Sequence, residues 1–81
     1  MYEIIISETA FKQLQKLEKN FQERIISALE RIKIRPEAFI TKLVDEPAYK
    51  FRIGNYRVIL AIDNDKIHIL KIGHRKNVYK Q

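Results

Sequence analysis

Apolar and polar residues at the start of the chain follow the pattern of a short strand and then a helix. Tyr2–Ile6 is short and rich in β-branched residues, which is typical of a strand. Ser7 comes next as a predicted N-cap, and the acidic residue after it suits the helix dipole. The helix is expected to end near Lys19, and its apolar residues recur at helical spacing at Phe11, Leu14 and Leu17.

A second helix is predicted directly after the first. Asn20–Glu23 has the spacing of a capping box, so we expect the helix to begin there. Pro36 makes helix beyond the preceding residue unfavourable. One long helix is the alternative, but Asn20 favours a cap over a helix interior. The two helices should therefore form an antiparallel hairpin, and the second carries an apolar stripe at Phe21, Ile25, Ala28, Leu29 and Ile32.

The period of the pattern changes to about two after a loop around Pro47. Three strands are predicted, at roughly 49–53, 56–62 and 67–72, with turns at Gly54-Asn55 and at 63–65. The N-terminal strand is expected to join them. The predicted fold class is α+β, with an N-terminal strand, an antiparallel helical hairpin and a three-stranded antiparallel meander. These strands form one twisted sheet with the helices on one face.

Length and composition narrow the class of protein. The 81 residues fit a single domain, 1–81, and the chain has no cysteine. It shows no signal-peptide pattern and no apolar run near the ~20 residues of a membrane helix, so we expect a cytoplasmic protein with no membrane partner. Residues 1–41 hold seven Lys/Arg and six Asp/Glu, a net of +1, whereas residues 42–81 hold nine and four, a net of +5. A basic half indicates a polyanionic partner, either nucleic acid or an acidic protein.

The hairpin at Gly54-Asn55 places three cations on one face of the predicted sheet. A two-residue turn pairs Arg52 with Arg57, and Lys50 shares their face because alternate residues of a strand point the same way. Like charges directly opposite each other destabilise a sheet. The face is therefore either a solvated basic surface with acidic neighbours or a site where an anion relieves the repulsion. The full expected register is Ile53–Tyr56, Arg52–Arg57 and Lys50–Ile59, which leaves Phe51, Ile53, Tyr56, Val58 and Leu60 for the core.

The C-terminal segment adds further charge near the hairpin. Antiparallel order returns it toward the Gly54–Arg57 end of the sheet, where His74, Arg75 and Tyr79 could meet the arginines. A frayed basic tail is the alternative. The register of the last strand is uncertain by one residue from sequence, so Lys71 is not assigned to a face.

The segments "YKFRIGNYRVIL" and "KIGHRKNVY" resemble the RelE-like toxins of the RelE/ParE toxin–antitoxin superfamily. The resemblance covers nearly the whole chain. It implies a ribosome-dependent endoribonuclease that cuts mRNA in the ribosomal A site and inhibits translation. It also implies a cognate RelB-like antitoxin that neutralises the toxin, with operator DNA as a partner only through the toxin–antitoxin complex.

The same resemblance implies roles for individual residues. Lys50 falls on the family's first catalytic lysine, and Arg52 falls where relatives often carry a second lysine. Arg57 matches the arginine of the Gly-x-Tyr-Arg element. The remaining candidates are Arg75 and Tyr79 as catalytic residues, His74 as a possible accessory, and Lys42, Lys76 and Lys80 as RNA-binding lysines.

The implied reaction is attack of a ribose 2′-OH on the adjacent phosphate, which pre-placed cations would stabilise. The candidate proton carriers are His74, Tyr79 and Lys50, whereas Arg52 stays protonated and can act only electrostatically. His68 lies in an apolar strand and is interpreted as a packed residue. No cofactor is expected, and no metal site is expected because His and Cys ligands with metal spacing are absent from the sequence. The alternatives are a ParE-like gyrase inhibitor and a non-catalytic basic RNA-binding module.

Overall fold

The computed structural model describes residues 1–76 and shows the predicted α+β order with one added strand. The elements are β1 (Glu3–Ile6), α1 (Glu8–Gln15), α2 (Lys19–Ile32), a 3-10 turn (Pro36–Ala38), β2 (Ile40–Lys42), β3 (Tyr49–Ile53), β4 (Tyr56–Asp63) and β5 (Lys66–His74). The three meander strands are confirmed, and β5 extends two residues beyond its predicted end. Strand β2 was not predicted, because three residues are too few to show an alternating pattern.

The five strands form one sheet in the order β1-β5-β4-β3-β2. Strand β1 runs parallel to β5, and every other neighbouring pair is antiparallel. The β3–β4 register is the predicted one, with Ile53 opposite Tyr56 and Arg52 opposite Arg57. Gly54 makes this turn possible, since its φ of 60° lies in the left-handed region that favours glycine.

Both helices contribute to a core on one face of the sheet. The buried core residues are Ala10, Leu14, Ile25, Ala28, Leu29, Ile32, Phe51, Val58, Leu60, Ile67, Ile69 and Ile72. The face opposite them, called the open face below, carries a small apolar cluster of Ala48 and Ile59 with Leu43 packed against it. Polar side chains on β3, β4 and β5 are consequently presented on the open face.

Two helix boundaries differ from the prediction. Ser7 caps α1 as expected, since its Oγ accepts the Ala10 N–H at 3.0 Å, but α1 ends at Gln15 rather than near Lys19. Helix α2 has Glu18 as its N-cap, with no side-chain cap bond, so the capping box at Asn20 was wrong. The Gln22 amide explains the early end of α1, because it donates to the Leu17 and Gln15 carbonyls at 2.8 and 3.2 Å. Neither helix in the described range is long and apolar enough to cross a membrane.

Helix α1 and its N-cap also provide hydrogen-bond partners for the backbone of β5 where β1 does not pair with it. The β1–β5 pairing ends at Ile6 and Ile69. Beyond that point, the Ser7 hydroxyl donates to the Leu70 carbonyl at 3.1 Å, and the Ile72 N–H donates to Gln13 Oε1 at 2.7 Å. These two side chains replace a missing strand and hold the C-terminal half of β5 in the sheet.

Candidate functional site

Arg57 lies at the centre of the cation cluster on the open face. It belongs to β4, the middle strand of the sheet, with Arg52 directly opposite on β3 and Gly73 directly opposite on β5. Side chains directly opposite each other have Cβ atoms about 5 Å apart. Lys50 pairs with Ile59 and is therefore a diagonal neighbour of Arg57, at roughly 7–8 Å.

A β-bulge brings a fourth cation, Lys71, to the same face. The β4–β5 register shifts between Ile59 and Leu60, so that Lys71 pairs with Ile59 and Leu70 is the additional residue. Ile69 and Ile72 both remain in the core, three positions apart. Lys71 is thereby a second diagonal neighbour of Arg57. The sequence did not place this lysine, because a bulge leaves no mark in an alternating pattern.

The charges of this cluster are not neutralised within the described part of the chain. All ten Asp and Glu residues lie in residues 1–76, yet none has a carboxylate within 4.0 Å of a nitrogen of Arg52, Arg57, Lys50 or Lys71. An ion pair on the open face lies at the other end of β5, where Lys66 Nζ is 3.6 Å from Glu3 Oε1. Of the two explanations for the cations, this distribution favours an anion site over a face with acidic neighbours.

One atom of the cluster is both buried and without a partner. Among the described residues, Arg57 Nη1 is the only buried side-chain nitrogen or oxygen that makes no hydrogen bond. A buried polar group left without a partner costs about 1–3 kcal/mol. Because Nη1 is covered in the free protein, a phosphate oxygen reaches it only when the guanidinium turns toward the open face. The charge-assisted bond formed there is roughly twice as strong as a neutral one.

The C-terminal segment returns to the hairpin, as the antiparallel order predicted. The Arg75 N–H donates to the Asn55 carbonyl at 2.8 Å, which places Arg75 beside the turn. His74 lies on the other side of the sheet, because it pairs with Tyr56 and its ring meets the Tyr56 ring edge-on at 5.7 Å. His74 Nδ1 also accepts the Lys76 N–H at 3.2 Å. The structure thus brings Arg75 toward the arginines and turns His74 away from them.

The remaining sequence candidates are dispersed. Lys42 pairs with Tyr49 and lies on the helix-covered side of the sheet, away from the cluster. Lys76 is exposed just beyond Arg75. Tyr79 and Lys80 lie outside the described residues. Within residues 1–76, no three His, Cys, Asp or Glu side chains are grouped so that they could hold a metal ion.

Helix α2 supplies a cation near the site that sequence reasoning did not include. One guanidinium nitrogen of Arg24 lies 3.2 Å from the position that a Cβ on Gly54 would occupy. The absence of a side chain at Gly54 is what permits this approach. The contact joins α2 to the tip of the hairpin that carries Arg52 and Arg57, and no local sequence signal predicts a contact between these two segments.

Comparisons with known proteins agree on one family. The sequence model described as the ParE toxin of the type II toxin–antitoxin system, parDE, matches residues 4–79. The toxin–antitoxin complex RelBE2 of Mycobacterium tuberculosis is similar in structure, with a TM-score of 0.84 and 25% identity over 91% of this chain and 98% of that chain. The archaeal RelE–RelB complex of Pyrococcus horikoshii has a TM-score of 0.79 and 29% identity, over 95% of this chain and 98% of that chain.

The intact RelBE complex of Escherichia coli gives a TM-score of 0.78 and 26% identity over 91% of this chain and 96% of that chain. No curated protein sequence matches the chain. The strand, two helices and antiparallel strands in one open sheet are those of the RelE structures.

Proposed function

We propose that this chain, which belongs to the RelE/ParE family of type II toxin–antitoxin toxins, is a ribosome-dependent endoribonuclease. It would cut mRNA in the ribosomal A site and so inhibit translation. The resemblance of the hairpin and C-terminal motifs to RelE-like toxins motivates the activity. The similar structures at 25–29% identity are RelE proteins, which favours this branch of the family.

The observation that carries the proposal is the state of Arg57. Its buried Nη1 has no partner in the described chain, and it faces a second arginine with no carboxylate to offset either charge. A phosphodiester supplies the missing acceptor and the missing negative charge together. In the transition state of 2′-OH attack, the non-bridging oxygens gain further negative charge, so these cations bind the transition state more strongly than the substrate.

The reaction assigns a separate task to each side chain. The ribose 2′-oxygen bonds to phosphorus while the 5′-oxygen leaves, which yields a 2′,3′-cyclic phosphate and a 5′-hydroxyl. Arg57 and Arg52 stabilise the phosphate oxygens electrostatically, because arginine does not release its proton in proteins. Arg75, at the hairpin turn, stabilises the charge on the leaving oxygen.

Proton transfer must come from other groups. A base has to take the 2′-OH proton and an acid has to protonate the 5′-oxygen. We assign these steps to Tyr79 and Lys50. Lys50 is half-buried on the open face, diagonal to Arg57. Cations beside a tyrosine favour its phenolate form. His74 is left out of the reaction because its ring lies on the opposite side of the sheet.

The proposed partners are mRNA, the ribosome and a cognate RelB-like antitoxin. Three similar structures are complexes of RelE-type toxins with their antitoxins. Operator DNA enters only through the antitoxin complex. Lys76, which is exposed just beyond Arg75, extends the positive surface toward RNA, and Lys80 is a further RNA-binding candidate from the sequence, whereas Lys42 would contact RNA only on the other side of the sheet. The toxin acts in the cytoplasm, where ribosomes are found.

Cleavage of mRNA in a translation extract tests the proposal, with primer extension mapping the cut. Wild type should cut ribosome-bound mRNA and leave free mRNA intact. Arg57→Ala should lower the rate by about 10²–10³-fold, the effect of removing one donor to a developing oxyanion. Tyr79→Phe should also lower it. The control is Arg35→Ala, which removes an arginine that pairs with Glu37 outside the site. Equal rates for Arg57→Ala and the control would contradict the proposal.

Gyrase inhibition is the alternative, favoured by the ParE description of the matching sequence model. Inhibition of gyrase needs no proton carriers and no phosphate in the cluster. A supercoiling assay with purified gyrase distinguishes the two activities. Loss of supercoiling with intact mRNA would assign the chain to the gyrase inhibitors, and RNA binding with neither activity would make it a non-catalytic RNA-binding module.

A further inference from the structure

Helix α2 carries a polar stripe that faces neither the core nor the open face. Asn20, Arg24, Ser27 and Arg31 are spaced by four, three and four residues, which puts them on one side of a helix. All four are exposed, and together with Glu23 and Ile53 they line one concave surface. The stripe is about 16 Å long at 1.5 Å per residue. It is called the α2 stripe below.

The α2 stripe lies next to the cation cluster around one edge of the sheet. The Arg24 guanidinium lies against Gly54, at the tip of the hairpin that carries Arg52 and Arg57. Strand β2 pairs only with Tyr49–Phe51, so β2 does not cover the edge of β3 at Arg52 and Ile53. An extended polyanion on the open face can therefore pass this edge and reach the α2 stripe without meeting another strand.

Both arginines of the α2 stripe lack a carboxylate partner in the described chain. Glu23 lines the same concave surface, yet neither Arg24 nor Arg31 is within 4.0 Å of any carboxylate oxygen. The exposed cations Lys12 and Arg35 each pair with a neighbouring glutamate, whereas other exposed lysines of the helices do not. The side chains of the stripe are arginine, asparagine and serine, which are among the types that contact nucleic-acid phosphates.

The composition of the stripe favours RNA over a protein partner. Protein–protein interfaces are anchored by buried aromatic and arginine side chains in pockets, and the residues that line this surface include no aromatic residue and one apolar residue, Ile53. The apolar groove of α2 lies on its other side, where Ile26 and Leu29 face β1. At 100° per residue, the centre of the core-facing side of α2 is more than a quarter turn from the α2 stripe. It is also more than a quarter turn from the apolar groove, on the other side.

We propose that the α2 stripe binds the phosphates of an RNA strand that continues past the cation cluster, with Arg24 and Arg31 as its phosphate-binding residues. This inference rests on the proposed function for the presence of RNA at the cluster. The shared chemistry is a phosphodiester backbone, and its source is either the mRNA beyond the cut or ribosomal RNA.

Salt-dependent binding of the full chain tests the inference in two arms. One arm uses a single-stranded RNA of about 12 nucleotides, within the usual site sizes of single-strand grooves, with a trinucleotide as the short probe. The other arm uses ribosomes without mRNA. The double variant Arg24→Ala/Arg31→Ala is compared with Lys12→Ala/Arg35→Ala, which removes the same charge from ion-paired surface positions. Thermal unfolding verifies that each variant folds.

The stripe variant should reduce the slope of log K against log salt by about 0.7 per arginine, or about 1.4 in all. At about 0.1 M salt this corresponds to roughly 25-fold weaker binding, relative to a 1 M reference. The trinucleotide should bind equally to variant and control, since it is too short to reach α2. Glu23→Gln should strengthen binding, which loss of folding cannot imitate. Loss in the oligonucleotide arm identifies mRNA as the source, and loss in the ribosome arm identifies ribosomal RNA.

Equal binding by the stripe variant and its control in both arms would overturn the inference, and wild-type cleavage of mRNA would then leave the proposed function intact. If the stripe variant lost affinity only for an acidic peptide such as oligoglutamate, the stripe would be a protein-docking surface. That result would also overturn the inference. A wild-type chain that binds neither RNA nor ribosomes would contradict both the inference and the proposed function.

Discussion

Arg57 combines two features that oppose folding. It faces Arg52 directly across the β3–β4 pair, and its buried Nη1 has no hydrogen-bond partner in the described chain. Like charges opposite each other and unsatisfied buried donors both lower the free energy of unfolding. Residues kept in such an arrangement are often functional, since a ligand removes the strain when it binds.

Arg57→Met should therefore stabilise the free protein while it lowers the rate of mRNA cleavage. The long apolar side chain keeps most of the packing and removes both the repulsion and the unpaired nitrogen. We expect the free energy of unfolding to rise by about 1 kcal/mol, measured by urea unfolding at low salt. Added phosphate should stabilise wild type more than the variant, because an anion that binds only the folded state shifts the equilibrium toward it.

Arg35→Met is the matched control for this prediction, since Arg35 is exposed and pairs with Glu37. Its unfolding free energy should change by less than about 0.5 kcal/mol. A clear loss of stability in Arg57→Met, larger than that of the control, would show that the Arg57 guanidinium is satisfied in the folded protein.

Gln13 of helix α1 provides the hydrogen-bond acceptor for one backbone N–H of β5. Gln13 Oε1 accepts the Ile72 N–H at 2.7 Å, beyond the end of β1. Gln13→Ala should leave this backbone donor unpaired and lower the free energy of unfolding by about 1–3 kcal/mol. Gln13→Glu keeps an acceptor at the same position and should recover most of that loss. Urea unfolding measures both, and equal stability of the two variants would mean that water replaces the glutamine.

The start of α2 lacks the side-chain cap that most helices use. Glu18 is its N-cap residue, and its carboxylate makes no cap bond. Glu18→Asp keeps the charge and shortens the side chain to a length that can accept an N–H of the first turn. We expect it to raise the midpoint of thermal unfolding, with a gain of about 0.5–1 kcal/mol. Glu18→Ala should give no gain, and a similar rise in both variants would point to relief of another contact instead.

The β3–β4 hairpin could be predicted from sequence because a two-residue turn fixes register. Gly54-Asn55 determined that Arg52 faces Arg57 and that Lys50 lies beside them. The position of Lys71 could not be predicted, since the bulge at Ile59/Leu60 changes which residues share a face. The early end of α1 was missed because it depends on the Gln22 amide, a contact between two elements.

The fold separates the cation cluster on the open face from an apolar groove between β1 and α2. The basic half of the sequence, with a net charge of +5 over residues 42–81, forms the cation cluster on the open face. The groove between β1 and α2 is lined mainly by apolar residues, Tyr2, Ile4, Ile6, Ile26 and Leu29 among them, together with the charged Glu3, Glu30 and Lys33. An apolar groove beside the free edge of β1 suits a protein segment, which can pair with the strand and bury its own apolar residues.

If the antitoxin binds in this groove, toxicity and neutralisation should be separable by mutation. Ile26 is 48% exposed in the groove, and Ile26→Asp places a charge where an apolar contact is expected. We expect it to weaken antitoxin binding about tenfold to a hundredfold, equal to about 1.4–2.8 kcal/mol, with mRNA cleavage at the wild-type rate. Growth during co-expression with the cognate antitoxin measures neutralisation, and the cleavage assay measures activity.

The control for this prediction is Ile34→Asp, since Ile34 is 71% exposed and does not line the groove. It should be neutralised like wild type. Full neutralisation of Ile26→Asp would place the antitoxin on another surface, and loss of cleavage in that variant would show that the groove and the cation cluster are coupled through α2. A toxic variant that escapes its antitoxin would show that the groove and the cation cluster act independently.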